Sequence, residues 1–242
     1  SNVTHKYEQP VRINNVRIFD PKSLSLTDPL SVVMTGDIIT AIEDVRSAPG
    51  TDEVFIEGEG GTLVAGLYDM HGHVGDNQAI MNVMAGVTGI RDMGNEDDVL
   101  SDLIDKIDRG VLIGPTITKS GFIEGVSEFS AATGELADSK EKALELVRNY
   151  AEKGYWQIKI YNSMKGDWVE DMAAEAHRLG MRVAGHVPAF YRADQMIEAG
   201  YDELTHINQI MLGWVLGPEE DTRTLFRITG MKRFVDLDLN SD

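Results

Sequence analysis

Four histidines and one lysine are spaced along the chain in a pattern that could bind metal ions. His71 and His73 are separated by a single glycine, so on a strand their side chains point to the same side. Lys159, His186 and His206 follow at widely separated positions. Imidazole is a good ligand for zinc and similar divalent metals. A lone His-x-His pair is common, so the recurrence of candidates later in the chain is what favours a metal site.

Lys159 has apolar neighbours within residues 157–161, and we expect its side chain to be buried. Burial disfavours the charged ammonium and makes the neutral amine accessible. A neutral amine can react with carbon dioxide to form a carbamate, whose two oxygens could bridge two metals. The alternative is a lysine at a strand end with its ammonium in solvent. For each histidine, the alternative is a hydrogen-bonded core residue.

Beyond Gly66 the sequence alternates between strand-like apolar runs and amphipathic helical segments. The predicted strands are residues 67–74, 87–93, 115–120, 156–161, 182–187 and 203–207. Strands that alternate with helices predict βαβ units in a parallel sheet. The expected fold class is therefore α/β, with a TIM-like (β/α)8 barrel that is incomplete at its C-terminus.

Three predicted helices end at a glycine, a residue that terminates helices readily because it adopts left-handed backbone angles. These glycines are Gly154, Gly180 and Gly200. Five or six residues after them stand Lys159, His186 and His206, each near the end of the next predicted strand. The carboxyl ends of barrel strands form the active-site face, so these side chains are expected to meet there.

The N-terminal part has a different texture. Short strands are predicted at residues 11–13, 16–19, 31–34, 38–42 and 54–56. Turn residues separate them and no helical period is present. We therefore expect a small β-sandwich-like domain over residues 1–64 and a barrel domain, with about six of eight β/α units, over residues 65–242.

Composition limits the classes of partner. The net charge of −18 argues against nucleic acid, because phosphate binding needs a basic surface. No apolar run is long enough to predict a membrane helix. The chain has no cysteine, which excludes disulfides and thiolate ligands and is compatible with both cytoplasm and periplasm. The expected partners are a small-molecule or peptide substrate and further copies of the chain in a homo-oligomer.

Two segments carry a resemblance to a known family. Residues 61–73, GTLVAGLYDMHGH, closely resemble the start of the barrel in the amidohydrolase superfamily. Residues 86–94, GVTGIRDMG, resemble its second strand. The pattern over nearly the whole chain looks like the imidazolonepropionase-like and prolidase-like branch of that superfamily.

The resemblance implies a ligand set and an activity. His71 and His73 would hold one metal, a carbamylated Lys159 would bridge, and His186 with His206 would hold the second. The ions would be divalent, most often zinc, and would activate a hydroxide to attack an amide carbonyl. The implied substrate is a small peptide, an N-acyl amino acid or a cyclic amide, as for a dipeptidase-like enzyme. Tyr161, two residues after Lys159, could orient a substrate carboxylate or serve structure alone.

Two departures from the family pattern stand out. Ala65 replaces the usual proline, which we expect to be harmless. The family's metal-binding aspartate, which is also the general base, follows an eighth strand that we do not find. Asp236, Asp238 and Asp242 are weak substitutes. We therefore expect a chain truncated before the last barrel strands, with little or no turnover of its own.

Other functions remain open on the same residues. A lactonase or phosphotriesterase would use the same hydroxide on an ester or a phosphorus centre. A non-catalytic fragment would keep the ligands without the general base. Asp92, at the end of the second predicted strand, could accept a hydrogen bond from a ligating histidine.

Overall fold

A computed structural model describes residues 7–235 and 237. Its chain divides into two compact units. The first contains the residues up to Leu67 together with Asp108–Ile113, and the second contains Tyr68–Ile107 and the residues from Gly114 onward. Asp236, Asp238 and Asp242, the aspartates considered above, lie outside the described residues, and so does His5.

Six strands form the sheet of the first unit. They are β1 (Val11–Asp20), β2 (Ser25–Leu26), β3 (Leu30–Thr35), β4 (Ile38–Asp44), β5 (Val54–Glu57) and β6 (Thr62–Leu63). The order β2-β1-β3-β4 is antiparallel, and β5 and β6 pair in parallel with β1. All five predicted strands are present, with the first two merged into β1. The six strands join one sheet through β1. The sandwich-like arrangement of this domain stays a prediction.

Buried valines and one paired arginine form the core of the first unit. Val11 and Val16 of β1 and Val32 and Val33 of β3 are buried. Arg12 is also buried, and its guanidinium bonds the carboxylates of the neighbouring Glu43 and Glu53. Buried charges are tolerated only when they are paired in this way.

The second unit alternates strands and helices. Its strands are β7 (Leu67–Gly72), β8 (Val87–Asp92), β9 (Thr116–Gly125), β10 (Glu135–Ala137), β11 (Gln157–Ile160), β12 (Arg182–Gly185) and β13 (Glu203–Leu204). Its helices are α1 (Asp76–Met84), α2 (Asp97–Asp108), α3 (Lys140–Glu152), α4 (Val169–Arg178), α5 (Ala193–Glu198), α6 (Ile207–Leu212) and α7 (Phe226–Thr229). Short 3-10 segments cover Gly166–Trp168 and Gly230–Phe234. All six strands predicted beyond Gly66 are present, and β10 was not predicted.

The strands of the second unit form a curled sheet. Their order is β13-β12-β11-β9-β8-β7, with β10 beside β9, and the pairs from β8 to β13 are parallel. His71 in β7 and His206 beyond β13 have ring centroids only 4.9 Å apart, although their strands stand at opposite ends of this order. The sheet therefore bends into a half-barrel that brings its two end strands together.

Helices α3, α4 and α5 cover the outer face of this sheet. Ile158 and Val183 from the strands pack with Val147 of α3 and Met172 of α4, and all four side chains are fully buried. Ser139 begins α3, because its hydroxyl accepts a hydrogen bond from the amide of Lys142. The three predicted terminating glycines follow α3, α4 and α5, and all have positive φ. Within the described residues, no helix is long and apolar enough to cross a membrane.

Candidate metal site and its pocket

The candidate ligands all lie at the carboxyl ends of strands. His71 is the second-last residue of β7, and His73 directly follows that strand. Lys159 is the third residue of β11. His186 directly follows β12, and His206 is two residues beyond β13. The phasing of helix-ending glycines against these residues therefore predicted their common level in the sheet.

These side chains are close together. Lys159 Nζ lies 3.4 Å from His71 Nε2. The ring of His206 is 4.9 Å from that of His71 and 4.2 Å from that of His186, between centroids. The His71 and His73 rings are 5.8 Å apart. A pocket of about 400 Å³ is lined by four of the five candidates. The fifth, His71, contacts Lys159, which lines the pocket.

Burial lowers the pKa of four of the candidate ligands, His71, Lys159, His186 and His206. Desolvation is the main cause that lowers the pKa of His71 and of His206 to about 4, and the charge on Lys159 adds to it. The pKa of His186 is lowered further, because this ring is almost fully buried and faces His206. Desolvation also lowers the pKa of Lys159 to about 8. Neutral imidazole is the form that binds a metal, and a neutral amine is the form that reacts with carbon dioxide.

Local contacts fix the ring of His73 and the backbone of His186. His73 Nδ1 donates to the carbonyl oxygen of Gly94 at 2.8 Å, which leaves Nε2 as the nitrogen with a free lone pair. The backbone amide of His186 donates to Ile160 O at 2.9 Å, and the Tyr201 hydroxyl donates to the His186 carbonyl at 3.0 Å. Both the backbone amide and the backbone carbonyl of His186 are therefore hydrogen-bonded.

His206 has a strained backbone. Its φ is +65°, in the left-handed region that non-glycine residues rarely adopt. Such residues concentrate at functional sites, where the surrounding structure holds them in place. Here the strained residue forms the junction between β13 and α6, and the Gln209 amide donates to its carbonyl oxygen at 2.8 Å.

The donor set fits a metal in chemical type, since imidazole binds zinc and similar divalent ions. His186 Nδ1 is buried without a hydrogen-bond partner, as a ring nitrogen awaiting a ligand would be. Among the described residues, no group of three or more histidine, cysteine or acidic side chains is already arranged to hold a metal ion. Metal binding would therefore require that the imidazole rings rotate and that Lys159 carries a carbamate.

Tyr161 lines the same pocket. Its ring lies 3.9 Å from that of His186, and it meets the Phe122 ring edge-on at 4.9 Å. A position at the pocket wall is compatible with the role predicted for it, contact with a substrate carboxylate. None of the described residues that line the pocket is an aspartate or a glutamate.

The sequence suggested that Asp92 accepts a hydrogen bond from a ligating histidine, but in the structure its carboxylate bonds other groups. Its carboxylate accepts hydrogen bonds from the amides of Val74 and Gly94 and from the Asn95 side chain. Asp92 therefore organises the loops that follow β7 and β8. His73 donates instead to the backbone carbonyl oxygen of Gly94.

Buried polar residues below the histidines were not recognised from the sequence. Arg91 of β8 donates to the side chain of Gln157 in β11 and to the partly buried carboxylate of Glu203 in β13. Arg91 lies within a segment of otherwise apolar strand type, and a charged residue in such a position is the signal that could have identified it. Its partner could not be identified in the same way, because Glu203 is the first residue of the predicted strand 203–207 and follows Asp202, and a carboxylate at a strand end is ordinary.

The comparisons with known proteins give structural matches only. No family model matches the sequence, and no curated protein matches it. A solved Xaa-Pro dipeptidase with methionine bound in its active site has 22% identity and a TM-score of 0.67, over 82% of this chain and 62% of that one. A prolidase complexed with N-methylphosphonate-L-proline has 19% identity and a TM-score of 0.69, over 83% and 62%. Molinate hydrolase has 15% identity and a TM-score of 0.67, over 85% and 59%.

The fold is shared with hydrolases. At 15 to 22% identity these likenesses show a common fold and leave the chemistry to be argued from the site. The chain spans 59% to 62% of the length of these three structures.

Proposed function

We propose that this chain carries the metal site of an amidohydrolase-type enzyme that cleaves an amide C–N bond. The observation that carries the proposal is the grouping of four histidines and one buried lysine, from four strands, in and beside one pocket. The similar fold of a Xaa-Pro dipeptidase and a prolidase supports an amide substrate. We accordingly assign the half-barrel to a TIM-like barrel of the amidohydrolase superfamily, in its prolidase-like branch.

The proposed ligands divide into two pairs and a bridge. His71 and His73 would hold one divalent ion, and His186 and His206 a second. Lys159 would lie between them as a carbamate, formed when its neutral amine adds carbon dioxide and releases a proton. Zinc bound in such a site lowers the pKa of water and polarises the scissile carbonyl.

The chain's own side chains prepare the pocket for this chemistry. Phe122 and Met93 give it an apolar wall, which limits water around the reacting group. Tyr161 presents its ring beside His186, from where its hydroxyl would bind a substrate carboxylate. The hydrogen bond from His73 to Gly94 O holds the tautomer that a metal ligand requires.

A panel of substrates tests the proposal. The protein is loaded with zinc in bicarbonate and assayed for hydrolysis of Xaa-Pro dipeptides, N-acyl amino acids and cyclic amides, with lactones and phosphotriesters for comparison. Turnover and zinc content are measured together for wild type, His186→Asn and the control His177→Asn. His177 is a suitable control because it is exposed on α4, away from the pocket, where its ring bonds Asp202.

Zinc binding and amide hydrolysis that are lost in His186→Asn and kept in His177→Asn support the proposal. Preference for lactones or phosphotriesters would replace the amide substrate. Equal behaviour of the two variants would refute the assignment of the site.

A second candidate is a metal-binding module without turnover. It is favoured by one observation, the lack of any carboxylate among the described pocket-lining residues, since a general base is needed to manage the proton of the attacking water. Zinc binding that depends on His186, with no turnover of any substrate in the panel, would favour this candidate.

A further inference from the structure

Arg91 is a buried cation with bonds to two different strands. Its Nε donates to the carbonyl oxygen of Met70 in β7 at 2.7 Å. Its two terminal nitrogens donate to the two carboxylate oxygens of Glu203 in β13, both at 2.6 Å. The side chain of Arg91 is 4% exposed and that of Glu203 is 31% exposed, so this pair is screened far less than a surface pair.

The two strands that Arg91 joins are the end strands of the sheet. β7 and β13 stand at opposite ends of the hydrogen-bonded order, so no backbone ladder fixes the distance between them. Met70 directly precedes His71, and Glu203 is three residues before His206. The rings of these two histidines are 4.9 Å apart across the gap. A side-chain connection immediately below them therefore sets how closely they approach.

The chemistry of the guanidinium suits this task. Its donors form a planar fork, and a bidentate bond to a carboxylate fixes both distance and angle. Nε remains available for the third bond, to the backbone of β7. A lysine ammonium could not hold all three acceptors in one plane.

A layer of neutral polar groups supports the fork from below Lys159. Gln157 is two residues before Lys159 in β11, and its Oε1 lies 3.4 Å from Arg91. Its Nε2 donates to Ser120 Oγ at 2.8 Å and to Met93 Sδ at 3.0 Å. Both ends of this amide are thereby satisfied, which keeps the layer rigid.

We infer that Arg91 is a positioning residue for the metal site, acting through Met70 and Glu203 to hold His71 and His206 at their working separation. The inference rests on the proposed function only for what the histidines bind. The brace itself, the Met70–Arg91–Glu203 connection, is independent of a metal.

The test compares two buried arginines. Arg91→Met removes the brace, and Arg12→Met removes a guanidinium of equal burial that pairs with Glu53 and Glu43 in the other compact unit. Zinc affinity is measured by competition with a chromophoric chelator. Amide hydrogen exchange of residues 67–73 and 203–207 is measured without metal. Glu203→Gln is the second variant, since it keeps the shape of the carboxylate if Arg91→Met fails to fold.

Arg91→Met and Glu203→Gln are expected to weaken zinc binding roughly 10- to 100-fold, as loss of groups that orient ligands does. Exchange should rise in both segments without metal. Arg91→Lys should recover only part of the affinity, and Arg12→Met should leave affinity and exchange in these segments unchanged. Equal effects of the Arg91 and Arg12 variants would overturn the inference. If wild type binds no zinc, the proposed function fails and the exchange measurement alone decides on the brace.

Discussion

Gly185 occupies the tightest backbone contact beside the site. Its φ is +153°, and a Cβ added there would lie 2.1 Å from the carbonyl oxygen and 2.7 Å from the nitrogen of Ile160 in the adjacent strand. Gly180 offers a matched control in the preceding turn. It also has a positive φ, +78°, but a Cβ there would meet nothing within 4 Å. The variants Gly185→Ala and Gly180→Ala therefore separate backbone strain from steric contact.

Gly185→Ala should lower the free energy of unfolding by more than Gly180→Ala does. Gly180→Ala imposes left-handed strain alone, about 1–2 kcal/mol. Gly185→Ala imposes strain and also forces β12 away from β11 by about 1 Å, to relieve the contact with Ile160. That displacement stretches the 2.9 Å bond from the His186 amide to Ile160 O beyond hydrogen-bonding range. A buried polar group left without its partner costs about 1–3 kcal/mol, so the total should reach about 2–5 kcal/mol.

Urea unfolding measures both costs, provided that the slope m is unchanged and the midpoints can be compared. Gly185→Ala should also weaken zinc binding, because His186 moves with β12, whereas Gly180→Ala should bind zinc as wild type does. Equal unfolding free energies for the two variants would refute the argument from contact. Unchanged zinc affinity in a folded Gly185→Ala protein would refute the coupling to His186.

Two further predictions concern stability. Ile158→Ala removes a fully buried side chain from the packed face of β11 and should lower the free energy of unfolding by about 2–5 kcal/mol in urea titrations; a change below about 1 kcal/mol would mean that this core is loosely packed. The hydrogen bond from Arg12 lowers the pKa of Glu53 below its ordinary value of 4.5, so the pair contributes stability above that pH and loses it as the pH falls through the lowered pKa. Between about pH 6 and about pH 3, wild type should therefore lose more unfolding free energy than Glu53→Gln, and parallel pH profiles would contradict the pairing.

The sequence contained the local information for most strands and for the level of the candidate ligands. Strand alternation located β1, β3, β4 and β5, and the glycines at the ends of α3, α4 and α5 placed Lys159, His186 and His206 at one edge. These features depend on nearest neighbours along the chain. They could be predicted because a left-handed glycine and an apolar run act locally.

Contacts between distant segments could not be predicted in this way. The bond of Arg91 to Glu203 joins residues 112 positions apart and depends on how strongly the sheet curls. The role of Asp92 was wrong for a similar reason: the loop amides of Val74 and Gly94 come within its reach only once β7 and β8 are folded. The metals, the carbamate on Lys159 and the role of Tyr161 stay predictions.

The central claim is that His71, His73, Lys159, His186 and His206 form one divalent-metal site. Its most direct test is the zinc content of the protein by elemental mass spectrometry, after dialysis against zinc and bicarbonate and then against metal-free buffer. The account predicts two zinc ions per chain in wild type and a large loss in Lys159→Met, with His177→Asn unchanged. Zinc content that is negligible in wild type, or equal in wild type and Lys159→Met, would contradict it.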